Sequence, residues 1–248
     1  MLSVLTRGTG AALGLGWGTI IPTFPTFVGQ FGVTTASTTT TATTASFSYP
    51  ANSLLVALVG AESTTTQGST FSSSVSSSNG LTWSYRYRNF SQTMSNGYNK
   101  PTMAYTYATT AGSTTVTATY STTFDDLAMC VLVFTGVSPT NPFPGSLVYG
   151  TNGTATTAFP QPPNYVTAAQ ATTLIIWQTT SLSTVPGGLS SPIGSFILGA
   201  AFTNSGATNW DMNSAYGLNV SGPGKAVAIT GSTSIGDSMI IVDGIALF

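Results

Sequence analysis

The stretch Asn79-Gly80-Leu81-Thr82-Trp83-Ser84-Tyr85-Arg86-Tyr87-Arg88 decides the fold class of this chain. It opens on Asn-Gly, a dipeptide that favours a tight turn, and continues by alternating large and polar residues. Successive side chains of a strand point to opposite faces, so the alternation predicts a β-strand with one aromatic face. The aromatic face consists of Trp83, Tyr85 and Tyr87, and the polar face of Ser84, Arg86 and Arg88.

The same period of two recurs in residues 102–107 and 115–120, which predicts two more strands. The larger residues are Met103, Tyr105 and Tyr107 in the first stretch and Val116, Ala118 and Tyr120 in the second, where threonines occupy positions 115, 117 and 119. Four largely apolar runs are typical of strands that are buried on both faces. They cover residues 53–59, 127–135, 174–177 and 239–242.

No long stretch shows helical periodicity, and Lys and Glu, which helices use freely, are nearly absent. The chain is therefore predicted to be all-β, a two-sheet β-sandwich with jelly-roll-like topology and an extended N-terminal arm. We expect one domain over residues 45–248, preceded by the arm and a linker over residues 1–44. Its second half is expected to contain strands over residues 172–179, 196–202, 212–218, 226–230 and 239–247.

The predicted arm, residues 1–32, is rich in Gly, Pro and aromatic residues and shows neither strand nor helix periodicity. It is too apolar to be exposed to water, so we expect it to lie on its own domain, on a symmetry mate or on another protein. Residues 33–44 are then a Thr-rich linker or an edge strand. The candidate partner contacts in the arm are Trp17, Ile20, Phe24, Phe27 and Phe31.

Charge is scarce: 4% of the residues are charged and the formal net charge is -1. Ordinary soluble domains contain about 25% charged residues. No basic surface for nucleic acid or for an anionic membrane is predicted. Near-zero net charge favours association, so the composition indicates a protein that works inside an assembly, with an extracellular protein poor in lysine as the alternative. The single cysteine, Cys130, excludes an intrachain disulfide and is expected to be a buried thiol.

Residues that carry catalysis are also scarce. The chain has no histidine, which removes the usual general base and every Ser-His or Cys-His dyad. No two of the six acidic residues have the local spacing of a catalytic pair. Asp125 and Asp126 are expected to cap a turn before Leu127, and calcium binding is the alternative. Every apolar stretch is shorter than the roughly 18 residues of a membrane-spanning helix. We predict no enzymatic activity, cofactor or metal.

The most promising binding surface lies in residues 86–100. It combines aromatic rings, an amide and basic groups, which suit contact with a glycan or a protein. The alternative is a solvated hairpin whose arginines cover apolar surface with their stems. The residues are Arg86, Arg88, Phe90, Tyr98, Asn99 and Lys100, of which Arg86, Arg88 and Tyr98 are the predicted partner contacts.

The order of these segments resembles a β-sandwich family common among bacteriophage virion proteins and some bacterial surface proteins. The resemblance covers residues 45–180. Its signatures are an apolar strand after a polar turn (52–60), Asn-Gly-Leu-Thr-Trp (79–83), a strand ending in Tyr-Ala (105–108), Ala-Gly-Ser-Thr-Thr-Val-Thr (111–117), a strand closing in Phe-Thr-Gly-Val (134–137) and a second apolar strand (173–177). None of them is catalytic, and the resemblance implies a jelly-roll-like sandwich in a virion decoration, fibre or tail component.

We therefore expect a virion structural protein, above all a capsid decoration (cement) protein. It would form a homo-oligomer, such as a trimer, and clamp neighbouring capsid subunits. A tail, collar or fibre component is the first alternative, and a secreted carbohydrate-binding module is the second. The expected partners are other virion proteins, or a glycan in the second alternative, and neither nucleic acid nor a membrane.

Overall fold

The computed structural model describes residues 25–63, 72–88, 92–94, 97–145, 148–152, 156–158, 171–180, 190–191, 194–195, 197–203, 211–218, 230–235 and 238–246. In this part of the chain every regular element is a β-strand, and every strand pair is antiparallel. The prediction of an all-β protein is thus confirmed.

The first ten strands precede a Pro-rich segment. They are β1 (Thr26–Thr43), β2 (Phe47–Tyr49), β3 (Ser53–Ser63), β4 (Ser73–Ser77), β5 (Ser84–Tyr87), β6 (Gln92–Met94), β7 (Gly97–Asn99), β8 (Thr102–Ala108), β9 (Gly112–Thr114) and β10 (Val116–Thr135). Eight of them form one sheet, in which β10 lies between β1 and β3. β3 also pairs with β8 and β7, β8 with β5, β7 with β6, and the start of β10 with β4. β2 and β9 form a separate ladder.

Nine further strands follow that segment. They are β11 (Val148–Asn152), β12 (Thr156–Ala158), β13 (Ala171–Thr180), β14 (Ser190–Ser191), β15 (Gly194–Ser195), β16 (Ile197–Thr203), β17 (Asp211–Leu218), β18 (Thr230–Ile235) and β19 (Ser238–Ala246). A five-stranded sheet has the order β11-β19-β13-β17-β16, and a four-stranded sheet the order β12-β18-β14-β15. β13, β16, β17 and β19 match predicted strands. The strand predicted over residues 226–230 lies, except for its last residue, outside the described residues.

Two buried clusters cover the two faces of the eight-stranded sheet. β3 is buried along its whole length, and β10 from Asp126 to Phe134, as their apolar runs predicted. The first core lies on one face and the second core on the other. The first core includes Leu55, Val59, Trp83, Val116, Tyr120, Phe124, Met129 and Val131. The second includes Leu54, Leu58, Met103, Cys130, Leu132, Phe134, Val137, Phe143 and Ile245.

β10 is one continuous strand, and this corrects the prediction of a turn before Leu127. Asp125 and Asp126 lie inside β10, where Asp126 pairs with Glu62 of β3. The residues that face the first core are even-numbered up to Phe124 and odd-numbered from Leu127 onward. This change of face falls between Phe124 and Leu127. The β1–β10 register shifts close to it, between the pairs Thr41–Thr119 and Thr39–Phe124, and Thr38 of β1 has a positive φ of 51°. The strand is therefore irregular here without being interrupted. The predicted capping role was therefore wrong.

The alternation of the deciding stretch also fails at one point. Trp83 and Tyr85 face the first core as predicted, whereas Tyr87 packs against the second core. The β5–β8 register shifts between Tyr85 and Tyr87. The extra residue at this irregularity is Arg86, which places Tyr87 on the opposite face. The prediction that the three aromatic residues share one face was wrong at Tyr87.

β1 is an edge strand of the large sheet, at the β10 end of its strand order. It pairs with β10 from Thr26 to Thr43, with three register shifts. An edge strand was one of the two alternatives predicted for residues 33–44, and β1 extends it into the predicted arm. The ring centroid of Phe27 lies 5.5 Å from that of Phe134, and Phe31 stacks on Phe47 with centroids 4.8 Å apart. This end of the arm therefore packs on its own domain.

Candidate functional site

The predicted binding surface divides between the surface and the interior of the protein. Arg86 is half-buried, Arg88 is exposed, Tyr98 is half-buried and Lys100 is buried. Phe90 lies outside the described residues. Side chains separated by up to 14 positions were expected to form one surface because they are close in sequence, but the bulge in β5 and the burial of Lys100 direct them to different places.

Arg86 is part of the protein's own structure. Its Nη2 donates a hydrogen bond of 2.8 Å to the backbone oxygen of Gly145. Its guanidinium carbon lies 5.2 Å from the centroid of the Phe143 ring. That ring is buried and packs edge-on against Tyr105, with centroids 5.0 Å apart. Arg86 therefore fastens the Pro-rich segment after β10 to the second-core face of the sheet, a role that sequence reasoning did not foresee.

Arg88 is the accessible cation of this group. Its guanidinium carbon lies 4.4 Å from the centroid of the Tyr85 ring. Tyr85 is itself fixed, because its hydroxyl accepts a hydrogen bond of 2.9 Å from the backbone N–H of Val75. Stacking on an aromatic face orients the planar guanidinium and leaves its edge available for an acceptor. Arg88 can therefore contact a carboxylate, a phosphate or a backbone carbonyl of a partner.

Lys100 is fully buried, with 0% of its surface exposed. Its Nζ lies 5.4 Å from the centroid of the Phe124 ring and 6.0 Å from that of Tyr98. Burial lowers the pKa of Lys100, because the charged ammonium loses hydration. Its backbone oxygen accepts a hydrogen bond of 2.9 Å from the hydroxyl of Tyr120. A surface partner cannot reach this amine, so Lys100 belongs to the interior.

Two carboxylates meet in the fold although they are far apart in the sequence. Glu62 of β3 and Asp126 of β10 are directly opposite each other, which places their Cβ atoms about 4.5–5.5 Å apart. Retaining glycosidases use carboxylates at about 5–5.5 Å. Here, however, Glu62 is 2% and Asp126 4% exposed. A polymeric substrate cannot reach either group in this structure.

A surface free of charge, here called the hydroxyl face, covers the side of β1, β10 and β4 that points away from the first core. Thr43 and Thr117 lie opposite each other, with their Oγ1 atoms 2.9 Å apart. Thr117 is also opposite Ser76 of β4. All members of the hydroxyl face are exposed or half-buried. They are Thr41, Thr43, Ser74, Ser76, Thr117 and Thr119. The threonine alternation signalled this surface, but its pairing with the serines of β4 requires the sheet register.

The residues predicted as partner contacts in the arm also separate into two groups. Phe27 and Phe31 have the ring contacts described above with Phe134 and Phe47. Trp17, Ile20 and Phe24 lie outside the described residues. A role in partner contact stays a prediction for all five residues.

Comparison with known proteins does not assign this chain to a family or a function. Comparisons with protein-family models, with curated protein sequences and with solved structures give no match. Within the described ranges no helix is long and apolar enough to span a membrane. In the same part of the chain no group of three or more His, Cys, Asp and Glu side chains could hold a metal ion. A function must therefore be proposed from the geometry of the chain's own residues.

Proposed function

We propose that this chain is a non-enzymatic structural protein of a virion, a capsid decoration (cement) protein that oligomerises and clamps neighbouring subunits. The observation that carries the proposal is the anchorage of the N-terminal segment. Phe27 and Phe31 fix the start of β1 to the interior through contacts with Phe134 and Phe47. The apolar residues that precede β1 in the sequence are thereby tethered to the edge of a well-packed sheet, and a clamp requires such a fixed origin.

The surface chemistry supports an assembly role. The hydroxyl face presents Ser and Thr where soluble monomers commonly present charges. Neutral surfaces do not repel one another, so copies of the chain or neighbouring subunits can approach at close range. Among the described residues, Glu62, Lys100 and Asp126 are withdrawn from solvent. Both features favour a protein that acts through contact.

The finer architecture belongs to the same proposal: a two-sheet β-sandwich with jelly-roll-like connections. Its support is the burial of β3 and β10 on both faces, since a sheet whose two faces are covered needs a second layer. Ile245 of β19 lies in the second core and is 0% exposed. The C-terminal five-stranded sheet is thus the candidate for the second layer.

The proposal is tested by removing the tethered segment without disturbing its anchor. Deletion of residues 1–24 leaves Phe27, Phe31 and the whole of β1 in place. We expect the full chain to form a stable oligomer by light scattering and the shortened chain to dissociate, with unchanged circular dichroism. A milder variant, Trp17→Ser with Ile20→Ser and Phe24→Ser, keeps the chain length and should reproduce the loss. Monomers for both full-length and shortened chains would exclude a clamp of this kind.

The alternatives predict different results. A tail, collar or fibre component would be distinguished from a decoration protein by immunogold labelling of virions, because the label would mark the tail instead of the capsid shell.

A secreted carbohydrate-binding module is favoured by one observation, the exposed Arg88 stacked on Tyr85 at 4.4 Å. It predicts binding on a glycan array that Arg88→Ala removes and that deletion of residues 1–24 leaves intact.

A further inference from the structure

The segment that leaves β10, residues 138–145, lies on the second core without joining a sheet. It is rich in proline, with Pro139, Pro142 and Pro144. Proline has no N–H to donate to a strand ladder, so this segment cannot be held as a strand is. The two hydrogen bonds described within it are local, from the backbone N–H of Asn141 to Ser138 Oγ at 3.3 Å and between Ser138 Oγ and Thr140 Oγ1 at 3.5 Å.

Side chains, not a ladder, fasten this segment to the sheet. Phe143 is 5% exposed and inserts its ring between Tyr105 and the guanidinium of Arg86. The same guanidinium donates to the backbone oxygen of Gly145 at 2.8 Å. Arg86 thus contacts the segment at two successive points, a ring and a carbonyl. Arg86 lies on the second-core side because it follows Tyr85, which faces the first core, and successive side chains of a strand alternate.

We propose that residues 138–145 form a strap over the second core, closed by Arg86 as its clasp, which opens locally without unfolding of the sheet. Opening withdraws Phe143 from the second core and uncovers the apolar side chains beneath it. Among the described residues this segment buries Pro142 and Phe143 and is contacted by the Arg86 guanidinium, and it lacks ladder hydrogen bonds such as those of β3 and β10. Regions held by few buried contacts open at lower free energy than the whole domain. The strap is a conformational device that is independent of the proposed assembly role.

The protein contains its own reporter of strap opening. Cys130, the single cysteine of the chain, lies in the second core with Phe143 and is 0% exposed. A thiol reagent such as Ellman's reagent reacts with Cys130 only when that core is uncovered. The labelling rate of the full chain under native conditions therefore measures how often the second core is uncovered, and the midpoint of urea unfolding measures global stability separately. The Arg86 and Phe143 variants then show whether the strap controls that rate.

The test compares two arginines that lie two positions apart. Arg86→Ala removes the clasp and should accelerate labelling of Cys130 about 10- to 100-fold, the factor expected for losing a charge-assisted hydrogen bond. Arg88→Ala removes an exposed arginine of the same region and should leave the rate within about twofold, as surface substitutions generally do. Phe143→Ala should accelerate labelling as Arg86→Ala does. Arg86→Lys, which keeps the charge but loses the planar fork, should give an intermediate rate and serves if Arg86→Ala does not fold.

The comparison with urea unfolding decides between a strap and general destabilisation. Local opening predicts that Arg86→Ala raises the labelling rate by more than its change in the global unfolding constant. A rise equal to that change would overturn the proposal, because Cys130 would then be reached only through global unfolding. Equal rates for Arg86→Ala and Arg88→Ala would overturn it as well.

Discussion

The buried hydroxyl of Tyr120 gives the sharpest test of how the interior is held together. Tyr120 is 2% exposed. Its hydroxyl donates to the backbone oxygen of Lys100 at 2.9 Å and lies 3.3 Å from Thr102 Oγ1, which is 2.9 Å from Ser73 Oγ. Tyr120→Phe removes only the oxygen and keeps the ring against Phe124, so packing is preserved. The loss of one buried hydrogen bond should cost about 1–2 kcal/mol.

The assay is urea unfolding at neutral and at alkaline pH. At neutral pH the midpoint should fall without a change in the slope m. Burial raises the pKa of Tyr120 above its ordinary value of 10.0. A raised folded pKa gives stability that is fully present below the unfolded pKa and lost as pH rises toward the folded one. The advantage of wild type over Tyr120→Phe should therefore shrink above about pH 10. Tyr105→Phe, a half-buried tyrosine of the second core, is the control.

The reasoning is refuted by either of two results. A cost below about 0.3 kcal/mol for Tyr120→Phe would mean that the hydroxyl gains nothing from its two partners, contrary to the usual value of a buried hydrogen bond. If the difference in unfolding free energy between wild type and Tyr120→Phe stayed constant up to pH 11, the Tyr120 hydroxyl would have the same pKa in the folded and the unfolded chain. In either case the Tyr120–Lys100 contact would not hold the interior as described.

Three further predictions concern a glycine with positive φ, a buried lysine and a hydrogen-bonded turn residue. Gly32→Ala should destabilise the fold by about 2 kcal/mol or more in a thermal or urea melt, because φ at Gly32 is +60° and the new Cβ would collide with Cβ and Cγ2 of Thr44. An unchanged unfolding midpoint would contradict this backbone conformation. Wild type should gain stability relative to Lys100→Met in urea unfolding as pH rises toward the ordinary lysine value of 10.5, because burial lowers the pKa of Lys100; a relative loss of wild-type stability over that range would contradict the sign. Asn79→Ala should cost about 1–2 kcal/mol of unfolding free energy, because Asn79 donates to the Tyr49 hydroxyl at 2.6 Å and accepts from Thr114 at 3.1 Å; Asn79→Asp, which retains the acceptor, should cost less.

Strand periodicity predicted the class of fold because it is a local property. Residues 116–120 alternate in sequence and alternate in burial, since each outward threonine follows an inward residue. The apolar runs of β3 and β10 likewise predicted strands buried on both faces. These patterns need only the two-residue period of an extended chain. No knowledge of the partner strand is required to recognise them.

Register is the part that the sequence did not disclose. The irregularities at Arg86 in β5 and between Thr119 and Leu127 in β10 each move side chains to the other face of the sheet, and neither follows from composition. The first separates Tyr87 from Trp83 and Tyr85, and the second lies within a continuous strand where a turn was predicted. The Glu62–Asp126 pair also depends on register, because 64 positions separate its members and only the β3–β10 ladder joins them. A bulge is decided by tertiary pairing, which a single strand does not specify.

The positions of the charged side chains among the described residues favour assembly more strongly than composition alone does. Glu62, Lys100 and Asp126 are buried, Asp125 is half-buried, Arg86 is fastened to the Pro-rich segment, and Arg88 is exposed. Burial thus removes charge from a surface that composition already makes poor in charge, and hydroxyl groups take its place. An interface formed by such a surface has few ion pairs for salt to screen. Any oligomer of this chain should therefore keep its mass in light scattering from 0.05 to 1 M salt, whereas an interface built on Arg88 and a partner's carboxylate should weaken over the same range.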